Sequence, residues 1–187
     1  MTDFTKTTLA MALEDLLRKK PLSELTVTEI AERAGVNRQT FYYHFRNIDD
    51  LIKWTVENDI RLFRDECENR KLDWKGRLLL LAEVMNRSRK VIVNFYNSVS
   101  SCSFRRYVNM MVCPMVDVLM NENRPSLSAS EEERRAISIF FSNLFSGYFF
   151  SWLEEDGKQD GKLFLKLIDY IEASLDAIIA TSDGGKS

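Results

Sequence analysis

Proline and glycine are scarce in this chain, three and seven in 187 residues. Turns are therefore few and elements long, which favours an all-helical fold over a sheet-rich one. Cysteine is scarce too. Cys67, Cys102 and Cys113 are odd in number and widely spaced. That excludes a disulfide framework and a metal-finger spacing, and it reads as reduced, buried, inert thiols in a cytoplasmic protein without metal or cofactor. Histidine occurs once, as His44. No serine or cysteine motif accompanies it, so the pairs used in nucleophilic catalysis are missing and the chain does not read as an enzyme. Positive charge is not in excess either: 26 Lys and Arg stand against 28 Asp and Glu, a net charge of −2. Such a chain does not coat nucleic acid, and any DNA binding has to come from a local patch. The beginning of the sequence carries Asp3 and no apolar core, so no signal peptide is expected there. The richest apolar stretch, residues 137–153, is interrupted by Ser138, Ser142, Asn143, Ser146 and Ser151, so no membrane span is expected.

What is present is helical periodicity and local charge. Hydrophobic residues make up 45% of the chain and charged ones 29%, the balance of a soluble globular protein. Phe4, Leu9, Leu13, Leu16 and Leu17 mark one face of a first helix that stops before Pro21. Leu22 and Leu25 read as apolar pins in the loop that follows. Thr26 and Glu29 have the spacing of a capping box opening a second helix, with Val27, Ile30, Ala31 and Ala34 on its buried face and Gly35 ending it. Asn37 caps a short third helix through Phe45. Asn47 caps a fourth that runs to about Arg70, with Asp49 and Asp50 in its first turn. Further helices are expected over 74–86, 88–99 and 104–120, then a loop over 121–128. A second capping box, Ser130 and Glu133, opens a long helix to Glu155. A break over 156–161 and a last helix over 163–180 complete the series.

The chemistry concentrates in residues 26–51. Ala34-Gly35-Val36 joins two short helices at a sharp angle: glycine supplies the turn, Ala34 allows close approach, and Val36 plugs the corner. That is helix-turn-helix geometry, whose second helix enters the DNA major groove. On that helix Phe41 and Phe45 share the inward face. Gln39 and Tyr43 face outward, flanked by Arg38 and Tyr42 on one side and Thr40 and His44 on the other. No acid lies between Arg33 and Arg46. Gln pairs with adenine and Arg with guanine through two hydrogen bonds each, and Thr, Tyr and His suit phosphate oxygens. Arg18, Lys19 and Lys20 form a second cationic cluster.

The string Thr26-Val27-Thr28-Glu29-Ile30-Ala31, then Ala34-Gly35-Val36, Thr40-Phe41-Tyr42-Tyr43-His44-Phe45 and Asp49-Asp50-Leu51, resembles the tetracycline-repressor (TetR/AcrR) family. The resemblance implies a three-helix DNA-binding domain, residues 1–48, ahead of a helical effector-binding and dimerisation domain, residues 49–181. No flexible linker is expected between them, and residues 182–187 are expected to form a disordered tail. It implies a repressor or other transcription regulator that binds a palindromic operator as a homodimer. Thr26, Tyr42 and His44 would grip phosphates. Asn37, Arg38, Gln39, Thr40 and Tyr43 would face base edges or nearby backbone. The family carries a phosphate-binding lysine where this chain has Ile48, and Arg46 or Lys53 is expected to compensate. That departure raises a second reading, a regulator-like protein-binding module that has lost specific DNA or effector contact.

Beyond residue 60 the resemblance rests on Gly147-Tyr148-Phe149-Phe150-Ser151-Trp152-Leu153 and the glycine-bearing break after it, which are similar to regulators of dihydroxyacetone kinase operons. Some of these are activators or co-regulators, so the sign of regulation is open. Met85, Met110, Met111, Met115 and Met120 with Phe95, Tyr96 and Tyr107 suit a plastic apolar cavity. An effector pocket for a small molecule is expected from the family at Tyr96, Tyr107, Met111, Tyr148 and Trp152, with a protein co-regulator as the other candidate partner. The last two helices carry more apolar surface than one chain buries, which points to a homodimer through a four-helix bundle.

Overall fold

Leu9, Leu13 and Leu17 stand four apart, so a helix through them presents one continuous apolar stripe. The computed structural model, which describes residues 2–98, 101–123, 130–158 and 161–184, places that helix, α1, at Thr2–Leu17 and buries all three leucines. Phe4, expected on the same face, is instead 79% exposed. It sits at the start of the helix, one turn before the packed stripe begins. A 3-10 turn at Leu22–Glu24 follows, and Leu25 is buried behind it.

Helix α2 (Val27–Arg33) begins with the expected capping box. Thr26 Oγ1 accepts from the Glu29 amide at 3.2 Å, and the Glu29 carboxylate accepts from the Thr26 amide at 3.0 Å. The helix ends in a Schellman arrangement. The Val36 amide donates to the Ala31 carbonyl at 2.9 Å, and the Gly35 amide to Glu32 at 3.0 Å, with Gly35 at φ +70°. Helices α3 (Arg38–His44) and α4 (Ile48–Asn69) start from Asn37 and Asn47, whose side-chain oxygens accept from the Thr40 and Asp50 amides. The corner is filled by Phe41, which is wholly buried, together with Phe45, Ile30, Ala31, Leu51 and Ile52.

Two compact units are distinguished, Met1–Arg70 with Val84–Tyr107, and Lys71–Glu83 with Val108–Ser187. Helix α5 (Trp74–Arg87) contributes to both, whereas α6 (Arg89–Tyr96) lies in the first unit and packs on α1. Val91, Phe95 and Tyr107 lean against the same core as Phe41.

The second unit takes most of α7 (Ser101–Asn123) and all of α8 (Glu131–Glu154) and α9 (Gly161–Gly184). Helix α7 holds Pro114, which has no amide to donate to the preceding turn. Of the loop expected over 121–128, residues 121–123 continue α7 and the remainder lies outside the described residues. Ser130 and Glu133 form the second capping box, with Glu131, Glu132 and Glu133 in the first turn. By length and composition alone α8 is long and apolar enough to cross a bilayer, as the core helices of soluble proteins can also be. Ile137, Phe141, Phe149, Trp152 and Leu153 of α8 are buried, and so are Phe164, Ile168 and Ile171 of α9. Helix α9 continues to Gly184, past the point where a tail was expected, and residues 185–187 lie outside the described residues. Every regular element among the described residues is helical.

Candidate DNA interface

Recognition by a seven-residue helix requires that the helix be held by its neighbours, since it is too short to persist alone. Phe41 and Phe45 provide the hold. Their rings lie 5.9 Å apart, and Phe45 meets Trp54 of α4 edge-on at 6.1 Å. The Lys6 ammonium of α1 sits 6.0 Å from the Phe45 ring and 5.9 Å from the Trp54 ring. With its inner face fixed, α3 exposes Arg38, Gln39, Tyr42 and Tyr43 together, and Tyr43 is 80% exposed. Thr40 and His44 are half-buried at the flank, His44 with its ring edge-on to Tyr43 at 4.9 Å.

Several of the expected contacts are already engaged within the protein. Thr26 Oγ1 donates to the Glu29 carboxylate at 3.0 Å. A phosphate oxygen only accepts, so this hydroxyl grips phosphate only by releasing Glu29. Lys20 holds Glu29 in place with an ion pair of 2.6 Å, and its hydrogen bond, followed by those of Thr26, keeps the Glu29 carboxyl below the usual range. Asn37 Oδ1 accepts from both the amide and the hydroxyl of Thr40, at 2.8 and 3.0 Å, leaving the Asn37 side-chain NH₂ as its outward donor. Arg33 pairs with Asp15 of α1 at 2.5 Å, tying α2 to α1. The cationic surface thus rests on Arg18, Lys19, Arg38 and Arg46, all exposed, rather than on every cation the sequence offers there.

Ile48 is half-buried and leans on the core. Of the two cations expected to stand in for a lysine there, Arg46 is the more exposed. Its side chain is 89% exposed and lies 3.5 Å from Asp50, while Lys53 faces Glu57 at 3.9 Å. Asp50 accepts from the Arg46 amide at 3.2 Å, and that bond, with the Arg46 charge, lowers its carboxyl.

The five residues expected at an effector pocket divide between the units. Tyr96 and Tyr107 belong to the first, where Tyr96 meets Phe104 at 5.0 Å and Tyr107 meets Phe95 at 6.0 Å. Met111, Tyr148 and Trp152 belong to the second. The Tyr148 ring lies 5.2 Å from Phe164 of α9, and burial, with a smaller push from Glu155, raises its phenol. Trp152 stacks on Phe149 at 5.8 Å. Ser146 Oγ is buried without a hydrogen-bond partner among the described residues, a feature its sequence context did not signal. Cys67 is buried, but Cys113 is exposed, which corrects the expectation of a buried thiol there; the Cys102 side chain lies outside the described ones.

Two family models match the chain. One, described as bacterial regulatory proteins, tetR family, covers residues 11–53 and so contains α2, α3 and the turn between them. The other, a transcriptional regulator C-terminal region, covers residues 73–173, more than half of the chain. A curated relative, the HTH-type dhaKLM operon transcriptional activator DhaS of Lactococcus lactis subsp. lactis (strain IL1403), is 31% identical over 86 residues. That match spans 46% of this chain and 45% of the relative. Among solved structures, a dihydroxyacetone kinase operon activator DhaS superposes with a TM-score of 0.75 at 20% identity, covering 92% of this chain and 97% of that one. A transcriptional regulator from Cytophaga hutchinsonii ATCC 33406 gives 0.54 at 14% identity, covering 92% and 95%. At these identities the two structures speak to the fold. The two family models, one over the helix-turn-helix and one over more than half of the chain, make it a member of the tetR family of bacterial regulatory proteins.

Proposed function

We propose that this protein is a cytoplasmic, sequence-specific DNA-binding regulator of transcription that acts as a homodimer and answers to a small-molecule effector or a protein co-regulator. The observation that carries the reading is the outer face of α3. Arg38, Gln39, Tyr42 and Tyr43 are exposed together, without an acid on the helix, over an inner face locked by Phe41 and Phe45. An ordinary surface helix mixes in carboxylates, which a phosphate backbone repels.

Dimerisation through α8 and α9 is supported by Ile139 and Phe140 on one helix and Leu163, Leu165 and Tyr170 on the other, all exposed. Apolar side chains of that size, left in water on two helices of one unit, favour a twofold partner surface. In such a dimer the two recognition helices must sit about one DNA turn apart, roughly 34–36 Å. An effector held near Met111, Tyr148 and Trp152 would act by changing that spacing. By linkage, DNA then alters effector affinity by the same factor. The curated relative is named as an activator; we propose activation here as well, and a promoter fused to a reporter reads the sign.

The test is selection from a random duplex pool by the full chain. Recovery of one palindromic sequence supports the reading. Recovery of no preferred sequence at low salt would overturn it and favour the protein-binding module.

A further inference from the structure

Arg38 and Tyr42 occupy successive turns of α3 and are joined twice. The guanidinium donates from Nη2 to Tyr42 Oη at 3.2 Å, and its carbon lies 5.4 Å from the centre of the Tyr42 ring. The polarity of the hydrogen bond is forced. A guanidinium has five N–H donors and no acceptor, so the phenol oxygen accepts and keeps its own proton to give elsewhere. Among the described residues no acceptor takes that proton. The ring is also supported from beneath. Phe41, wholly buried, meets it edge-on at 5.6 Å and 82°. A core side chain thus holds a surface ring, and the surface ring holds an arginine. Among the described residues, Tyr43 next to it has a ring contact only to the half-buried His44.

We propose that Tyr42 positions Arg38 for base recognition: its hydroxyl accepts from the guanidinium and donates to a backbone phosphate, so that seating on the phosphate and reading of a guanine become one event. This rests on the DNA-reading role of α3 and goes beyond it. Tyr42 is otherwise a phosphate anchor, which affects all sequences alike. Here it acts on sequence preference through its neighbour. The chemistry is consistent at each atom. Phosphate oxygens only accept, and the phenol has one proton left. An O–H whose oxygen accepts from a cation is polarised toward giving its own proton. Four guanidinium N–H groups remain, and a guanine needs two, for O6 and N7. An arginine already held also loses less rotamer freedom on binding than a free one.

The experiment uses the full chain and the palindrome it selects from a random duplex pool, with copies in which each guanine in turn is replaced by 7-deazaguanine, which lacks N7. The guanine read by Arg38 is the one whose replacement weakens the wild-type protein but not Arg38→Ala. Tyr42→Phe keeps the ring and removes the hydroxyl, and an unchanged thermal melting curve confirms that its fold is intact. Tyr42→Phe is expected to lower discrimination at that guanine by about fivefold or more. On the Arg38→Ala background the same change should cause no further loss of discrimination, a non-additivity expected of coupled groups. Equal weakening of Tyr42→Phe on both duplexes, with discrimination kept, would overturn the proposal, as would the absence of any guanine that depends on Arg38. A wild-type protein without sequence preference would be a different failure, that of the DNA-reading role itself.

Discussion

The side-chain amide of Asn94, on α6, donates to the main-chain carbonyl of Leu17, the last residue of α1, at 2.7 Å. One turn on, Ser98 Oγ accepts from the Leu22 amide at 3.0 Å and donates to the Asn94 carbonyl at 2.6 Å. The carbonyl that ends α1 and the amide that opens the 3-10 turn are therefore satisfied by side chains of α6 and of the turn just after it, more than seventy residues away in sequence. Removing the Asn94 amide leaves a part-buried carbonyl without its donor. Asn94→Ala is expected to cost about 1–2 kcal/mol, read as a lower urea midpoint at unchanged slope and fixed protein concentration. An unchanged midpoint would show that water replaces the bond without loss.

The acid–base balance predicts a stability maximum in mild acid. Crowding by surrounding protein, and then the Glu14 charge, push Asp59 up to about 7, although the residue stays exposed; burial raises Glu14 in the same direction. A raised carboxyl means that the folded state binds more protons than the unfolded one. Between about pH 4 and pH 7 these two groups therefore make stability fall as pH rises. Glu29, Asp50 and Glu133 are lowered by the hydrogen bonds of their helix caps and turns, so their contribution is present above the ordinary carboxyl range and lost in stronger acid. Asp59→Asn should raise stability at pH 7.5 and flatten the fall between pH 5 and 7.5. Exposure screens the effect to on the order of 1 kcal/mol. A melting temperature for Asp59→Asn equal to wild type at both pH values would contradict the assignment.

Gly35 has φ +70° and open space where a Cβ would stand. The cost of Gly35→Ala is thus conformational rather than steric, about 1–2 kcal/mol. Gly35→Asn should cost less, because asparagine tolerates that region better. Thermal melting of the two variants orders them, and equal losses would point to a contact instead of strain.

Phe140 is exposed on α8, in the unit that also carries the exposed apolar residues of α9. Phe140→Glu is expected to shift sedimentation toward monomer while helicity by circular dichroism stays unchanged. A wild-type chain that sediments as a monomer at micromolar concentration would contradict the dimer.

How much of this could be read beforehand depended on the range of each interaction. Thr26 with Glu29, Asn37, Asn47, Gly35 and the Phe41–Phe45 pair all act within one or two helical turns, so their spacing alone exposed the helix-turn-helix and its outward face. The Arg38–Tyr42 bond has the same local spacing, and the shared flank was visible in sequence even though the bond was not. Interactions that cross between helices carried no such mark. Arg33 with Asp15, Lys20 with Glu29, and Lys6 over Phe45 and Trp54 depend on how α1 and the turn after it lie against the helices that follow. They withdraw some cations from the patch that composition suggested. The docking of α6 on α1 escaped for the same reason. Phe4 was misplaced because a helical period says which face a residue shares, not how far along the helix the core extends.

The central claim is that the outer face of α3 reads base edges. The most direct measurement is the affinity of the wild-type chain and of Gln39→Ala for the selected palindrome and for a random duplex, followed as salt is raised. For wild type, a preference of about a thousandfold or more is expected, with affinity for both duplexes falling steeply on a log–log plot. Gln39→Ala should narrow the preference while leaving the random-duplex line in place. Equal wild-type affinity for the two duplexes at every salt concentration would contradict the claim.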